Sequence, residues 1–329
     1  MRHKTALLVT LWIVGIQTAF GQEAEAVRFG VVRVTQSTVL LNRPLSTGTV
    51  ALLPLTPGAR LRWIEGQVRN GFVRVITIGG KQGWIPATAV QVESQPPVLL
   101  AAAPPCKPTL AACVAGCSQP GSKHALFDQT KRRVPPPSVP IPLTFDDFSS
   151  LQEQADSLVD EGVELSAADR MKLTNLHVSQ GTVKEGSLVR LIGFIAQGLD
   201  PHANTGESVN CRLTEEKNND FHISFAARSD QDEFDGIVVE MIPQNRPANW
   251  SLSRLKSLKT QHRLLKVVGA IFYDNAHVVN SDRQNPLNGQ PRRFSLWEIH
   301  PIVQFFFCKK ANNQCNPENA GDWKALEIP

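Results

Sequence analysis

The sequence predicts a mainly β chain built from two small barrels, joined by a proline- and cysteine-bearing linker and two short helices. Three observations predict it. Short runs that alternate apolar and polar residues recur between turn residues over 28–93. Proline pairs and a proline triplet then interrupt residues 94–143 and forbid long helices there. From Leu188 the strand pattern resumes, with one helical stretch inside it. Hydrophobic residues make up 42% of the 329, enough to supply a core to each half.

The first residues read as an export signal. Arg2, His3 and Lys4 start it, an apolar run follows to Ile16, and Ala19 and Gly21 suit cleavage before Gln22. Residues 1–21 are therefore expected to be a signal peptide, and the mature chain to be periplasmic or secreted. The apolar run is about 12 residues against the ~20 that a bilayer requires, and no later segment is longer, so no membrane span is expected. The net charge of +4 becomes 4 − 2 = +2 without Arg2 and Lys4. That balance is too mild for a polyanion partner, and nucleic acid is not expected. All six cysteines lie in the mature chain, and an even count in an exported protein favours disulfides. Cys308 and Cys315 flank a polar loop and are expected to pair. A second pair is expected within the cluster Cys106, Cys113 and Cys117, assigned to Cys106 and Cys117. The chain has no CxxC pair of the kind a cysteine zinc site uses.

Within 28–93, Val31, Val32 and Val34 begin one strand and 38–41 forms another, ended by Asn42-Arg43-Pro44. Residues 60–65 and 72–78 alternate, Gly79-Gly80 turns the chain, and Gly83-Trp84-Ile85 returns. Close spacing of such strands favours a small barrel. Leu41-Asn42-Arg43-Pro44, Leu55-Thr56-Pro57-Gly58, Gly71-Phe72-Val73-Arg74-Val75 and Gly83-Trp84-Ile85, in that order, resemble the bacterial SH3 domain over about 65 residues. The family usually carries an extra apolar residue between the Asn and the Arg, which is absent here. The resemblance implies an SH3-like module that binds a cell-wall peptide or a protein. In barrels of that type loop aromatics make the groove, so Trp63, Phe72 and Trp84 are the candidate ligand-binding residues, with Trp84 also suited to the core.

Residues 94–143 are expected to be a Pro/Cys-rich linker, and its basic triplet Lys131-Arg132-Arg133 a solvated patch. The segment 144–180 reads as helical. Thr144 with Asp147, and Ser166 with Asp169, have capping spacing. Phe145, Phe148, Leu151, Ala155 and Leu158 form one stripe, read as a docking face onto the next domain. Residues 181–310 are expected to be the second barrel, and 311–329 a tail. Strands fall at 188–196, at 209–213 with 221–225, at 237–242, at 264–273 and at 294–307. A helix capped near Ser251 spans 249–260. Strand-strand-strand-helix-strand-strand is the order of an OB-fold barrel. Asn219-Asp220-Phe221-His222, Val238-Val239-Glu240 and Trp297-Glu298-Ile299-His300-Pro301 also resemble motifs of uncharacterised exported bacterial proteins, which implies no particular activity.

Those motifs carry the candidate chemistry. Residues i and i+2 of a strand share a face, so Asp220 lies with His222 and Glu298 with His300. Glu240 sits mid-strand among apolar neighbours, where a charge is costly unless paired. Asp220, His222, Glu298 and His300 are the candidate ligands for a divalent metal, since imidazole and carboxylate suit such an ion. Without metal, Glu240 orients His300 as a base, so His222, Glu240 and His300 are the catalytic candidates. The bland alternative is a hydrogen-bonded pair that fixes register, with Trp297 in the core and Pro301 at a bulge. His202 and His277 read as exposed loop residues. The sequence lacks GxSxG, HExxH, a Walker loop and the Asp-Cys-Ser-Gly run of cell-wall peptidases. The leading expectation is an exported, non-enzymatic binding or scaffold protein that needs no cofactor. The alternative is a metal-dependent hydrolase, acting on a phosphodiester, at the C-terminal cluster.

Overall fold

The computed structural model describes residues 29–326 except 78–80, 94–105, 115, 119, 160, 163 and 288, and the side chains of 29 and 64–68. The proposed signal peptide, the Gly79-Gly80 turn and the start of the linker lie outside the described residues.

The protein is mainly β. Its first sheet contains β1 (Phe29–Val34), β2 (Thr38–Leu41), β3 (Ala51–Leu55), β4 (Arg60–Arg69), β5 (Phe72–Ile76), β6 (Gln82–Pro86) and β7 (Val90–Val92). The strand order is β3-β2-β6-β5-β4-β1-β7, and the pairings are antiparallel. A short 3-10 turn at Ala87–Ala89 leads into the last strand. Val32, Val34, Leu40, Leu55, Leu61, Val73, Val75 and Ile85 fill its core. Gly83 is required where β6 crosses β2, because a Cβ there would stand 2.7 Å from the Leu41 carbonyl oxygen.

The second half begins earlier than the sequence suggests. Helix α1 (Lys123–Lys131) and strand β8 (Ile141–Leu143) fall in the expected linker. Strand β8 pairs in parallel with a barrel strand, and Cys113 bonds to Cys211, so residues 106–143 are built into the C-terminal fold. Helix α2 (Phe145–Leu158) and the single-turn α3 (Ala167–Arg170) follow. Both open with capping boxes, Thr144 with Asp147 and Ser166 with Asp169. Phe148, Leu151 and Ala155 of the α2 stripe are buried against the barrel, while Leu158 at its end is 38% exposed. A hairpin of β9 (Leu176–Val178) and β10 (Gly181–Val183) precedes the barrel.

The barrel strands are β11 (Leu188–Ile195), the short β12 (His202–Ala203), β13 (Phe221–Ala226), β14 (Ile237–Met241), β15 (Leu265–Tyr273) and β16 (Trp297–Cys308). Helix α4 (Leu252–Thr260), capped by Ser251, lies between β14 and β15. Pairing runs β11-β13-β14-β16-β15 and returns to β11, with β14 and β16 parallel. This closed five-strand order, with a helix after the third strand, is the OB-type arrangement. Strand β17 (Trp323–Ala325), in the expected tail, adds to β16.

Residues 209–213 are not a strand. A 3-10 turn at Ser208–Asn210 leads to Cys211 and Arg212, both with positive φ, because the disulfide from Cys113 and the Asn210–Asp220 hydrogen bond at 2.9 Å hold that segment as a loop. Register in β15–β16 shifts at Gly269, where a Cβ would meet the Pro301 carbonyl oxygen at 2.4 Å. Trp297 is fully buried. The three disulfides are Cys106–Cys117, Cys113–Cys211 and Cys308–Cys315. They suit an oxidising, exported environment. No helix among the described residues is long and apolar enough to cross a membrane.

The two barrels touch. Arg62 of β4 meets Glu161 at 3.1 Å, Arg74 of β5 donates to Asn285 at 2.8 Å, and Ile76 packs with Val278 and Leu287.

Candidate functional site

Strand register brings the C-terminal motifs together. His202 of β12 stands opposite His222 of β13, which stands opposite Glu240 of β14. Strand β16 carries Glu298 and His300 two residues apart, alongside β14. Asp220, Glu240, Glu298 and His300 are all at most 1% exposed.

Glu240 is the hub. Its Oε1 accepts from His222 Nε2 at 2.8 Å, and its Oε2 lies 3.1 Å from His300 Nδ1. His300 Nδ1 also reaches Glu298 Oε2 at 3.4 Å, and its Nε2 lies 3.5 Å from Asp220 Oδ2. The cluster includes one residue that the sequence reading set aside. Lys131, the last residue of α1, is 4% exposed and places its ammonium 3.3 Å from Glu240, 3.5 Å from Glu207 and 4.0 Å from Asp220. The basic triplet is thus not a solvated patch. Arg132 donates to the Cys113 and Val209 carbonyls, which stitches the end of α1 to the loop tied by the Cys113–Cys211 bond.

A second arm extends toward the loop after β15. Arg293, fully buried, donates to Asp274 Oδ2 at 2.6 Å and to Glu298. Asp274 in turn accepts from His277 Nδ1 at 2.5 Å. Four buried carboxyl groups, those of Asp220, Glu240, Asp274 and Glu298, therefore face Lys131, Arg293, His222 and His300.

The electrostatics follow from burial opposed by these pairings. Burial pushes the His222 imidazolium down, but Glu240 and Glu207 outweigh it and raise its pKa to about 9. Burial acts likewise on His300, and Glu240 with Asp220 and Glu298 raises it to about 10. Burial raises the Glu240 carboxyl, yet His222, Lys131 and His300 hold it well below the usual carboxylate range. Glu298 is pushed up by burial and by Glu240. Lys131 stays charged, because Glu207, Glu240 and Asp220 override its desolvation.

Asp220, Glu240 and His300 offer ligand atoms within 4.8 Å of one another, the geometry of a metal trio. Asp220 Oδ2, Glu240 Oε2 and His300 Nε2 meet their charged neighbours as ion pairs without well-aligned hydrogen bonds. The donor set nevertheless fits a divalent ion poorly, because the Lys131 ammonium already supplies the cation between Glu240 and Asp220. His222 and Glu298 take part in the network but not in that trio.

Above the network opens a cleft of about 660 Å³. Its base is β13 and β14, with His222, Ile223, Val238 and Glu240. One wall comes from the loop after β11, with Leu199, His202 and Asn204. The other comes from the loop after β15, with His277 and residues 289–293. His202 stacks on His222 with ring centroids 5.7 Å apart. His202 and His277, expected to be exposed loop residues, are half-buried walls of this cleft. Neither position carried a periodic signal, since both lie outside long strands.

The aromatic candidates of the N-terminal barrel divide. Trp84 is 6% exposed, with Arg74 above its ring, while Trp63 packs partly against the barrel core and Phe72 is half-buried. No protein-family model matches the chain. No curated protein matches it either.

Proposed function

We propose that this is an exported binding protein whose ligand site is the cleft on the C-terminal barrel, and that the ligand is a cell-wall peptide or a protein segment. One observation carries the reading. The cleft lies over β13 and β14 and between the loops after β11 and after β15, the face and loops that OB barrels use for ligands. Its chemistry suits a peptide: apolar contacts from Leu199 and Pro291, hydrogen bonding from Asn204 and the histidines, and the positive charge of Arg292 for a carboxylate. On this reading the buried network beneath is a brace that keeps the base of the cleft in register. The N-terminal barrel, which resembles the bacterial SH3 domain, is a second recognition module.

A peptidoglycan stem peptide titrated into the isotopically labelled chain tests the site by backbone NMR. Shifts at residues 198–204 and 289–293 are expected. Shifts confined to β4 and β5 around Trp63 and Phe72 would move the site to the other barrel, and the absence of any shift would remove the peptide reading. The hydrolase alternative has the Asp220–Glu240–His300 trio in its favour and the buried Lys131 against it.

A further inference from the structure

Strand β5 alternates as a barrel strand should. Val73 and Val75 point into the first core, so Arg74 and Ile76 point outward. Outward positions of a small barrel are ordinarily wet, yet Ile76 is fully buried and Arg74 is 8% exposed. Register sets Arg62 of β4 and Gln82 of β6 on either side of Ile76, and both are buried as well. The outer face of β4, β5 and β6 is therefore covered.

The cover comes from the C-terminal half, chiefly from the loop after β15. Val278 and Leu287 pack on Ile76. Arg74 donates to the Asn285 carbonyl oxygen at 3.0 Å and to its Oδ1 at 2.8 Å. Arg62 meets Glu161 at 3.1 Å, and Glu161 also accepts from Val279 N at 3.4 Å. The segments approach closely at Gly162, where a Cβ would stand 2.9 Å from the Val278 side chain.

The same loop is the second wall of the cleft. Asn280, fully buried, ties the two roles together. Its Nδ2 donates to the Leu287 and Gln290 carbonyls, each at 3.1 Å, and its Oδ1 accepts from Leu287 N at 2.8 Å. Its backbone pairs with that of Arg293 at 3.1 and 3.2 Å. Gln290 and Arg293 line the cleft. Contacts thus run unbroken from Arg74 and Ile76, through Asn285, Leu287 and Asn280, to the cleft wall. Arg283 also ties the loop to Asp235 at 2.6 Å, but that pair is exposed and contributes little. A long loop without regular structure is uncommon in a compact fold unless it serves a function.

We propose that the outer face of β4, β5 and β6 is the seat of the cleft's own loop, so that the N-terminal barrel sets the position of the second wall and with it the affinity of the cleft. Arg74 and Ile76 are positioning residues for a site on the other barrel. Such coupling is reciprocal, so a ligand in the cleft tightens the contact between the barrels. The inference rests on the cleft being the binding site.

The test uses the full, disulfide-intact chain with Arg74→Met or Ile76→Ala, both in the N-terminal barrel and remote from the cleft. Amide hydrogen exchange by NMR reads the wall directly. Exchange at Leu287 and Arg293 is expected to accelerate about tenfold as the loop loses its seat, while β13 and β14 keep their rates. Retained slow exchange within β1 and β6 checks that the first barrel stays folded. The dissociation constant of the stem peptide is expected to rise about fivefold. Unchanged exchange at Leu287 and Arg293 in both variants overturns the proposal, whatever the peptide does. Faster exchange with unchanged peptide affinity overturns it too, because the wall would then move without consequence. Absence of peptide shifts in the unsubstituted chain sinks the cleft as a peptide site, and the exchange rates still decide whether the first barrel holds the wall.

Discussion

The two barrels solve burial differently. The N-terminal barrel fills its core with aliphatic side chains and keeps the ion pairs made within it at the rim, where Arg33 and Arg60 share Glu93 at 2.6 and 2.8 Å, while its buried Arg62 pairs outward with Glu161 of the other half. The C-terminal half also has a large apolar core, yet it buries more charged groups, and the densest set of them lies directly under the cleft. A rim pair in water contributes little. A buried charge is tolerated only when its partners are complete. The contrast marks where the chain accepts a cost for something other than stability, and that place is the base of the cleft.

The largest effect that would break the comparison comes from Lys131→Met. Removing the ammonium leaves Glu240, Asp220 and Glu207 short of a cation, and should cost about 3–5 kcal/mol in urea unfolding. A loss near zero would mean the network does not depend on the linker helix. In the first barrel, Ile85→Ala empties a fully buried position and should cost about 2–5 kcal/mol by cavity formation alone. Unlike the lysine change, its cost should not vary with pH.

Acid–base behaviour sharpens the distinction. His222 and His300 titrate at about 9 and about 10 when folded, against about 6.5 in an unfolded chain. The folded state holds the protons more tightly, so this stabilisation is complete below pH ~6.5 and is lost as pH rises through the folded values. The urea midpoint of the C-terminal barrel should fall from neutral pH to pH ~10. A midpoint that rises over that window would exclude ionised histidines at the base of the cleft. The smallest effect is Ser251→Ala, which removes the oxygen accepting from Arg254 N at 3.3 Å and should cost about 1 kcal/mol in thermal unfolding.

Much of this architecture was legible along the chain. Capping at Thr144, Ser166 and Ser251 is a local matter of one hydroxyl and the amides that follow it, so spacing alone places it. Period-two alternation placed the barrel strands to within a few residues. It also put Asp220 with His222 and Glu298 with His300, because side-chain direction in a strand is decided by the backbone. The β2–β3 hairpin was less legible, since Ala51–Leu55 carries a proline and little alternation.

The sequence by itself thus determined the mainly β class, the order of elements in the second barrel and the histidine–carboxylate motifs, because each depends on neighbours a few residues apart. Only the tertiary structure decided that Lys131 enters the cluster, that Cys113 bonds Cys211 across 98 residues, and that His202 and His277 face one cleft. Those partners meet through barrel closure, and the distance between them along the chain carries no trace of it.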